Sequence, residues 1–514
     1  MINFLIIFGG VLVALYFYAT RNFKYWEKKG VKYEKPIPVF GNMASNFLAQ
    51  KTVSQVLEEL YWKYPEEKAV GYFRSSAPEM LVRDPDIIKR LWTTDFQYFY
   101  SRGLDETDKD HRNIEILRKN LVVVEGDVWR LLRHSTTPAF TSGKLKAMFP
   151  LIVERAERLQ QRTRAVCAGA RPVDARDLMA RYTTDFIGAC GFGIDADALQ
   201  DENSNFRKLG VKIFEVNAKE IIILMLKSFF PYTFKHLKFL GKVEKEFCDL
   251  VGEMLKQRNY KPCGRHDFID LMLEIKEKGK MECESMEKMK PDGTPERVSM
   301  EMSDELIAAQ VFLFFTAGFE TSSSSSSYAL HEIAYNPEVQ KKIQEDIDRV
   351  LAKHNNKLSY DAIKEMHYLE WAFKEGMRVL PPVGSLIRTC RQKYTFQELG
   401  VTVDEGTRIE MSTQAMHNDP KYWDSPEEFR PERFSPESNE PKHKFAYLPF
   451  GSGPRACIGE RLGLMQSLAG LAAILSQFSV APAPTSVRRP VLDPTSNIVQ
   501  GISGGLPLIF TPRT

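Results

Sequence analysis

One cysteine, Cys457, stands in a loop of small and conformationally special residues, Phe450-Gly-Ser-Gly-Pro-Arg-Ala-Cys-Ile-Gly459. Gly451, Gly453 and Gly459 can take a positive φ that other residues avoid. Pro454 fixes its own φ and donates no hydrogen bond. Such a loop suits close backbone approach to something flat or bulky. The stretch Glu460 to Leu475 repeats apolar residues at helical spacing, so Cys457 sits at a helix N-terminus. Orphan amides and the positive helix end favour a thiolate there, and a thiolate is a nucleophile or a metal ligand. A plain glycine turn around a buried thiol is the bland alternative. A dinucleotide fingerprint also fits formally, as Gly451-x-Gly453-x-x-Ala456. It is disfavoured because no strand–helix–strand alternation surrounds it, and because Pro454 and Arg455 stand where backbone must approach.

A second chemical grouping is Ala317-Gly-Phe-Glu-Thr-Ser322. Gly318 costs about 1 kcal/mol against alanine inside a helix, and Thr321 can bond back to an earlier carbonyl. Together they permit a local opening beside a ligand. Glu320 and Thr321 then offer a carboxylate and a hydroxyl, the types that general acid catalysis needs within reach of a reacting oxygen or a bridging water. A third grouping is Trp129 and Arg133, four apart on one helical face, where an indole N–H and a forked guanidinium suit a carboxylate. The bland alternative is an amphipathic helix with a basic face. Glu375 and Arg378 lie three apart, upstream of Pro431-Glu-Arg-Phe434; that spacing means little alone.

These residues need elements to hold them. The pattern from Ser303 to about Tyr335 predicts one helix of roughly 50 Å, containing an unusual serine run, Ser322 to Ser327. Residues 145–275 have mostly helical periodicity. Within them Ile221 to Phe234 is apolar, aromatic and broken by Pro231; it reads first as a core helix, second as a greasy lip over an entrance. Lys276 to Arg297 reads as a solvated loop, and Asp105 to Arg112 as a charged one. Val70–Arg74 with Glu79–Arg83 forms a short hairpin, and Tyr394–Ile409 a second hairpin around Glu405-Gly406. The tail from Pro482 carries short β-like runs.

Residues 1–20 hold no charged side chain, and Lys and Arg residues follow from Arg21 to Lys35. The apolar stretch can span a bilayer with its basic flank in the cytosol; a cleaved signal peptide is the alternative. Residues 21–42 then form a basic, proline-rich linker and residues 43–514 the catalytic body. With 514 residues, 43% apolar, the chain can build a sizeable core; its net charge of +3 gives no bulk argument for nucleic-acid binding. Seven scattered cysteines with no C-x-x-C pair disfavour zinc fingers and a secreted disulfide scaffold.

The loop around Cys457 matches F-x-x-G-x-R-x-C-x-G, the haem-binding signature of the cytochrome P-450 superfamily. The stretches Ala317–Ser322, Trp129/Arg133, Glu375/Arg378 and Pro431–Phe434 match its other motifs, in family order and over essentially the whole chain. Residues 24–42, 137–146 and 317–324 resemble insect microsomal members of the family-six type. The resemblance implies a mainly α fold with a smaller β-rich region, behind an N-terminal transmembrane helix in the endoplasmic-reticulum membrane, with the body facing the cytosol. It implies haem b with Cys457 as axial ligand, and Trp129, Arg133, Arg388, Phe450, Arg455 and Gly459 as cofactor-binding residues. Glu320 and Thr321 become the proton-delivery pair, while Glu375, Arg378 and Arg433 become a buried structural network. The implied reaction is monooxygenation of hydrophobic small molecules. Its electrons come from NADPH through a flavoprotein reductase, with cytochrome b5 a second candidate donor, docking near Arg130, Lys442, Lys444 and Arg461. The rivals are a haem-thiolate isomerase, disfavoured by the presence of Thr321, and a haem sensor without turnover.

Overall fold

Helices dominate, as the 3.6-residue apolar spacing dictates. The computed structural model describes residues 2–104, 115–167, 169, 171–215, 217–230, 233–234, 236–496 and 498–513. The expected charged loop Asp105–Arg112 and the helix-breaking Pro231 lie outside them. The helices used below are α1 (Ile2–Thr20), α2 (Gly126–Thr136), α3 (Ser142–Val166), α4 (Ala175–Ile187), α5 (Asn205–Phe214), α6 (Ala218–Phe229), α7 (Asp304–Ala334), α8 (His367–Val379) and α9 (Glu460–Gln477). The strands are β1 (Ala69–Arg74), β2 (Ala77–Val82), β3 (Val173–Asp174), β4 (Lys280–Met289), β5 (Pro295–Glu301), β6 (Ser385–Thr389), β7 (Tyr394–Phe396), β8 (Val401–Val403), β9 (Arg408–Ser412), β10 (Phe478–Pro482) and β11 (Pro507–Pro512). They form small sheets of order β1-β2-β9-β6, β10-β11-β3, β4-β5 and β7-β8.

Helix α7 is the central element. Ser303 caps it by accepting the Leu306 N–H at 3.2 Å. It has the length and hydropathy of a membrane span, yet 61% of its most apolar window is buried in the protein, as befits a core helix. The helix runs unbroken through Gly318 and Thr321, so the expected local opening is absent. Gly318 instead lets α4 approach: a Cβ there would lie 2.5 Å from Ile187 Cδ1. All six serines of the run are buried. Ser323, Ser325 and Ser327 turn their hydroxyls onto the carbonyls of Glu320, Thr321 and Ser324, which satisfies them without any partner outside the helix. Their small size also admits neighbours. Ser322 Oγ lies 3.9 Å from where a Cβ on Gly463 of α9 would stand, and Ala329 meets Gly376 of α8 at 3.1 Å on the same construction.

Three expectations are corrected. Residues 276–297 are not a solvated loop: they hold the antiparallel hairpin β4–β5, whose partner residues include Met281 with Met300 and Cys283 with Val298. Alternate apolar residues on these strands pack on the main core, which sequence polarity had masked. The hairpin of Tyr394–Ile409 turns at 397–400, where Gly400 takes φ +60°, pairing β7 with β8. The Glu405-Gly406 turn leads instead into β9, which pairs with β6 and β2. Helix α6 is not a core helix: Ile222 is 56% exposed, and Ile221, Leu224 and Phe230 are exposed as well. Phe230 stacks on Tyr18 near the end of α1, with ring centroids 6.1 Å apart.

Helix α1 carries no charge, and most of its large apolar side chains are exposed. Residues 21–42 do more than tether it. Trp26 is fully buried against Gly71 and donates its indole N–H to Tyr72 O at 3.1 Å. The Asn42 N–H donates to Phe73 O. Indole burial locks the segment onto the β1–β2 edge.

His417 joins the body to the loop of Cys457. Its Nδ1 bonds to Met377 O and its Nε2 accepts the Leu448 N–H at 3.0 Å. Burial pulls this imidazole down from 6.5 to about 3. The unfolded chain therefore binds a proton that the fold refuses. Stability should be flat above the unfolded pKa and fall below it by about 1.4 kcal/mol per pH unit from this group, until the folded value is reached. Urea unfolding at pH 7, 6 and 5 should show a shallower slope for His417→Gln; parallel wild-type and mutant curves would contradict this.

Candidate active site

The loop of Cys457 is shaped by backbone contacts. Gly451 and Gly453 take φ +71° and +70°. A Cβ on Gly453 would stand 1.8 Å from Trp92 O, so only glycine fits there. Gly459 differs from expectation: its φ is −91°, and it acts as the N-cap of α9. The Cys457 N–H donates to Phe450 O at 2.9 Å, closing the loop. Phe450 itself packs, partly buried, against the main core.

Cys457 is solvent-accessible. Ala317, at the middle of the buried helix α7, is exposed in the same way. Helices α7 and α9 meet at Ser322 and Gly463, which brings the stretch holding Ala317 toward the helix that follows Cys457. Burial pushes the Cys457 thiol upward. The Gly459 N–H and the Arg133 and Arg102 guanidinia pull it down without prevailing. Helix-end geometry had argued for a depressed thiol; desolvation outweighs it here.

Four guanidinia gather near the Cys457 loop. Arg133 of α2 donates to Ala456 O at 2.9 Å. Arg455 donates through Nε to Tyr100 O at 2.9 Å and through Nη2 to Val124 O at 3.0 Å, and lies 4.3 Å over the Trp129 ring. Arg102 donates to Arg455 O and Val122 O, both at 3.2 Å. Arg388, at the end of β6, is 3% exposed and 4.6 Å over the Trp92 ring, with its Nε unpaired. Among the described residues, every hydrogen bond from these four goes to a backbone carbonyl and none to a carboxylate. Burial pulls Arg102 down to about 10, and pulls Arg388 and Arg455 well below the ordinary arginine value, with the neighbouring guanidinia adding to the fall. Glu125 is the one carboxylate that acts on this group, on Arg102 and Arg455, without a hydrogen bond to either among the described residues, and buried cations so poorly matched by anions are costly. The site therefore calls for a ligand with carboxylates beside the thiol, and haem, with two propionates and an iron that takes thiolate sulfur, fits that demand.

The sequence reading placed Trp129 and Arg133 as one clamp. Arg133 bonds to the Cys457 loop, and Trp129, one turn earlier on α2, lies under the Arg455 guanidinium and beside Phe96. Arg102 was missed. It matches none of the motifs used, and only the folded chain brings it to Arg455.

Thr321 Oγ donates to Ala317 O at 2.5 Å, which leaves its lone pairs toward the accessible side. Glu320 is bonded by Arg176 of α4, a partner 144 residues away that no local pattern announces. Phe315, Phe319 and Phe214 stack in sequence above this stretch, at 6.0 and 5.7 Å between centroids. Glu375, Arg378 and Arg433 form one fully buried network, with Arg378 Nε to Glu375 at 2.7 Å and Arg433 Nε to Glu375 at 3.2 Å.

Comparison with known proteins follows this geometry. The family model described as Cytochrome P450 matches residues 31–506. Cytochrome P450 6B6 of Helicoverpa armigera is 36% identical over 510 residues, covering 98% of this chain and 97% of that protein. Cytochrome P450 6k1 of Blattella germanica is 33% identical over 515 residues, covering 99% and 97%. The probable cytochrome P450 6a13 of Drosophila melanogaster is 34% identical over 482 residues, covering 93% and 92%.

Proposed function

This chain belongs to the cytochrome P450 family and is a monooxygenase resembling the insect family-six members, and on that premise we propose that Cys457 ligates the iron of haem b and that the substrates are hydrophobic small molecules, xenobiotics such as insecticides or plant toxins. The observation that carries the proposal is the accessible thiol beside four guanidinia that, among the described residues, hydrogen-bond to no carboxylate. Arg102, Arg133, Arg388 and Arg455 hold the propionates, and Trp129 supports Arg455. When bound, a thiolate-ligated haem activates dioxygen, because the sulfur donates electron density that favours O–O cleavage.

The chain's own residues then manage position and protons. Phe214, with the buried Phe319 and Phe315 stacked behind it, offers an apolar surface that excludes water and orients an apolar substrate. Thr321 holds a water at its hydroxyl. Glu320, paired with Arg176, relays protons to that water, taking one from solvent for each that it gives. The acid and the threonine being side by side favour monooxygenation over a haem-thiolate isomerase. Oxidation of endogenous lipids or hormones would use the same residues.

Electrons reach the haem from NADPH through a membrane-bound flavoprotein reductase, with cytochrome b5 as a second donor. Docking falls on Arg130, Lys442, Lys444 and Arg461. Two of these already pair within the chain, Lys442 with Asp424 at 2.6 Å and Arg130 with Glu284 at 3.8 Å, so the partner's carboxylates must compete for them. Helix α1 anchors the chain in the endoplasmic-reticulum membrane with the body in the cytosol, and the exposed apolar face of α6 meets the same surface. Reconstitution with reductase tests the whole reading: NADPH consumption should rise with an apolar substrate and match oxygenated product. Turnover that needs no NADPH would favour the isomerase, and salt-insensitive turnover after charge reversal at all four basic residues would dismiss the docking face.

A further inference from the structure

Hairpin β4–β5 grips the start of helix α2 and the segment Tyr100–Gly103 together. Asp127, in the first turn of α2, accepts the Ser285 hydroxyl at 2.7 Å and the Met286 N–H at 2.6 Å. Ser285 Oγ in turn accepts the N–H groups of Glu287 and Lys288, so the strand is held in shape at this point. The Glu287 carboxylate accepts the Tyr100 hydroxyl at 2.8 Å and lies against Gly126, where a Cβ would meet it at 2.4 Å. The hairpin is seated by Met281, which is 4% exposed, and by Cys283, Met286, Val298 and Met300 packed on the main core.

Helix α2 lacks its own side-chain cap. Its N-cap residue, Glu125, spends its carboxylate on the Ser101 hydroxyl and the Gly103 N–H instead. An anion from another element, Glu287, stands at the helix start, where the dipole favours negative charge. The segment Tyr100–Gly103 is the hub of the guanidinium cluster. Tyr100 O accepts from Arg455, Arg102 belongs to the segment, and Ser101 O accepts the Thr389 N–H beside Arg388. Helix α2 carries Arg133. All four guanidinia thus depend on two pieces of chain that the hairpin ties to each other.

We propose that hairpin β4–β5 is a cofactor brace in which Glu287, through Tyr100 and the start of α2, positions the arginines that hold the haem propionates. This rests on the haem reading above. Glu287 and Tyr100 are positioning residues; neither touches the cofactor. Because a charge-assisted hydrogen bond is strong and directional, its loss loosens the cluster without unfolding the body.

The test uses the full-length holoprotein, wild type beside Tyr100→Phe, Glu287→Gln, Glu287→Ala and the double variant Tyr100→Phe/Glu287→Ala. Two quantities are read: the rate of haem transfer to an apoglobin scavenger, and the urea midpoint of the haem-free protein. Tyr100→Phe and Glu287→Ala should each speed haem release on the order of tenfold, with the urea midpoint unchanged. Glu287→Gln keeps an acceptor oxygen for Tyr100 but loses the charge at the start of α2, and should restore part of the retention. The losses in the double variant should fall short of the sum of the two single losses, since the Tyr100–Glu287 bond is common to both. Unchanged release, additive losses, or release that only follows a lowered urea midpoint would overturn the brace. Tyr100→Phe is nearly isosteric and keeps the test valid if Glu287→Ala folds poorly. Wild-type protein without a thiolate-type carbon-monoxide spectrum would instead dismiss the haem reading itself.

Discussion

Cys457→Ala will abolish the strongly red-shifted Soret band of the reduced, carbon-monoxide-bound protein and lower NADPH-dependent turnover by at least about a thousandfold, the scale expected when a group central to the chemical step is removed. Alanine fits the site, since the loop is held by the Cys457 N–H to Phe450 O bond and by glycines rather than by the thiol. The arginine cluster survives the substitution, so haem can still enter by its propionates; only the sulfur is lost. No other thiol is equivalently placed. Burial pushes Cys190 up to about 12 and Cys390 up to about 11, and neither stands in the loop of Cys457. The spectrum of the reduced carbon-monoxide complex decides the matter. A mutant that keeps the red-shifted band would show that another ligand serves the iron.

Glu375→Gln will destabilise the protein by about 3–5 kcal/mol, the cost of breaking a buried ion pair on one side only. Glu375, Arg378 and Arg433 are fully buried. Glu375 also accepts the Arg430 N–H at 2.9 Å, while Arg378 donates to the carbonyls of His417, Pro426 and Glu428. Removing the carboxylate charge leaves Arg378 with no anion, and Arg433 with Glu440 alone. The segment that Arg378 and Arg433 organise leads through His417 and Leu448 to the loop of Cys457. Haem occupancy should therefore fall along with stability. Urea unfolding of the purified variant measures the first, and haem absorbance per protein the second. A loss below about 1 kcal/mol would mean that the network is dispensable.

Short-range chemistry was legible in the sequence. Ser303 before an apolar-periodic run fixes the start of α7 because its hydroxyl reaches an amide three residues on. The glycines at 451 and 453 declare positive φ because other residues are penalised there. The Glu375–Arg378 spacing puts both side chains on one helical face. Patterns of this kind act within a turn or two of chain, so the residues themselves state them.

What sequence could not give was whatever depended on distant partners. Helical glycine at 318 reads as a place to open, yet Ile187 of another helix uses it for close packing. The polar stretch after Lys276 reads as solvated, yet alternate Met, Cys and Val residues find a core to cover and a helix to clasp. Arg102, Arg176 and Glu287 match no motif; their meanings come from Arg455, Glu320 and Tyr100, each more than a hundred residues away. The direction of the Cys457 shift was also decided in three dimensions, because helix-end stabilisation is local whereas desolvation is set by everything that encloses the thiol. The sequence by itself determined the family, the candidate sulfur and the long helix. Only the tertiary structure decided which charges surround the sulfur and what holds them there, since burial and long-range pairing exist only once the chain has closed on itself.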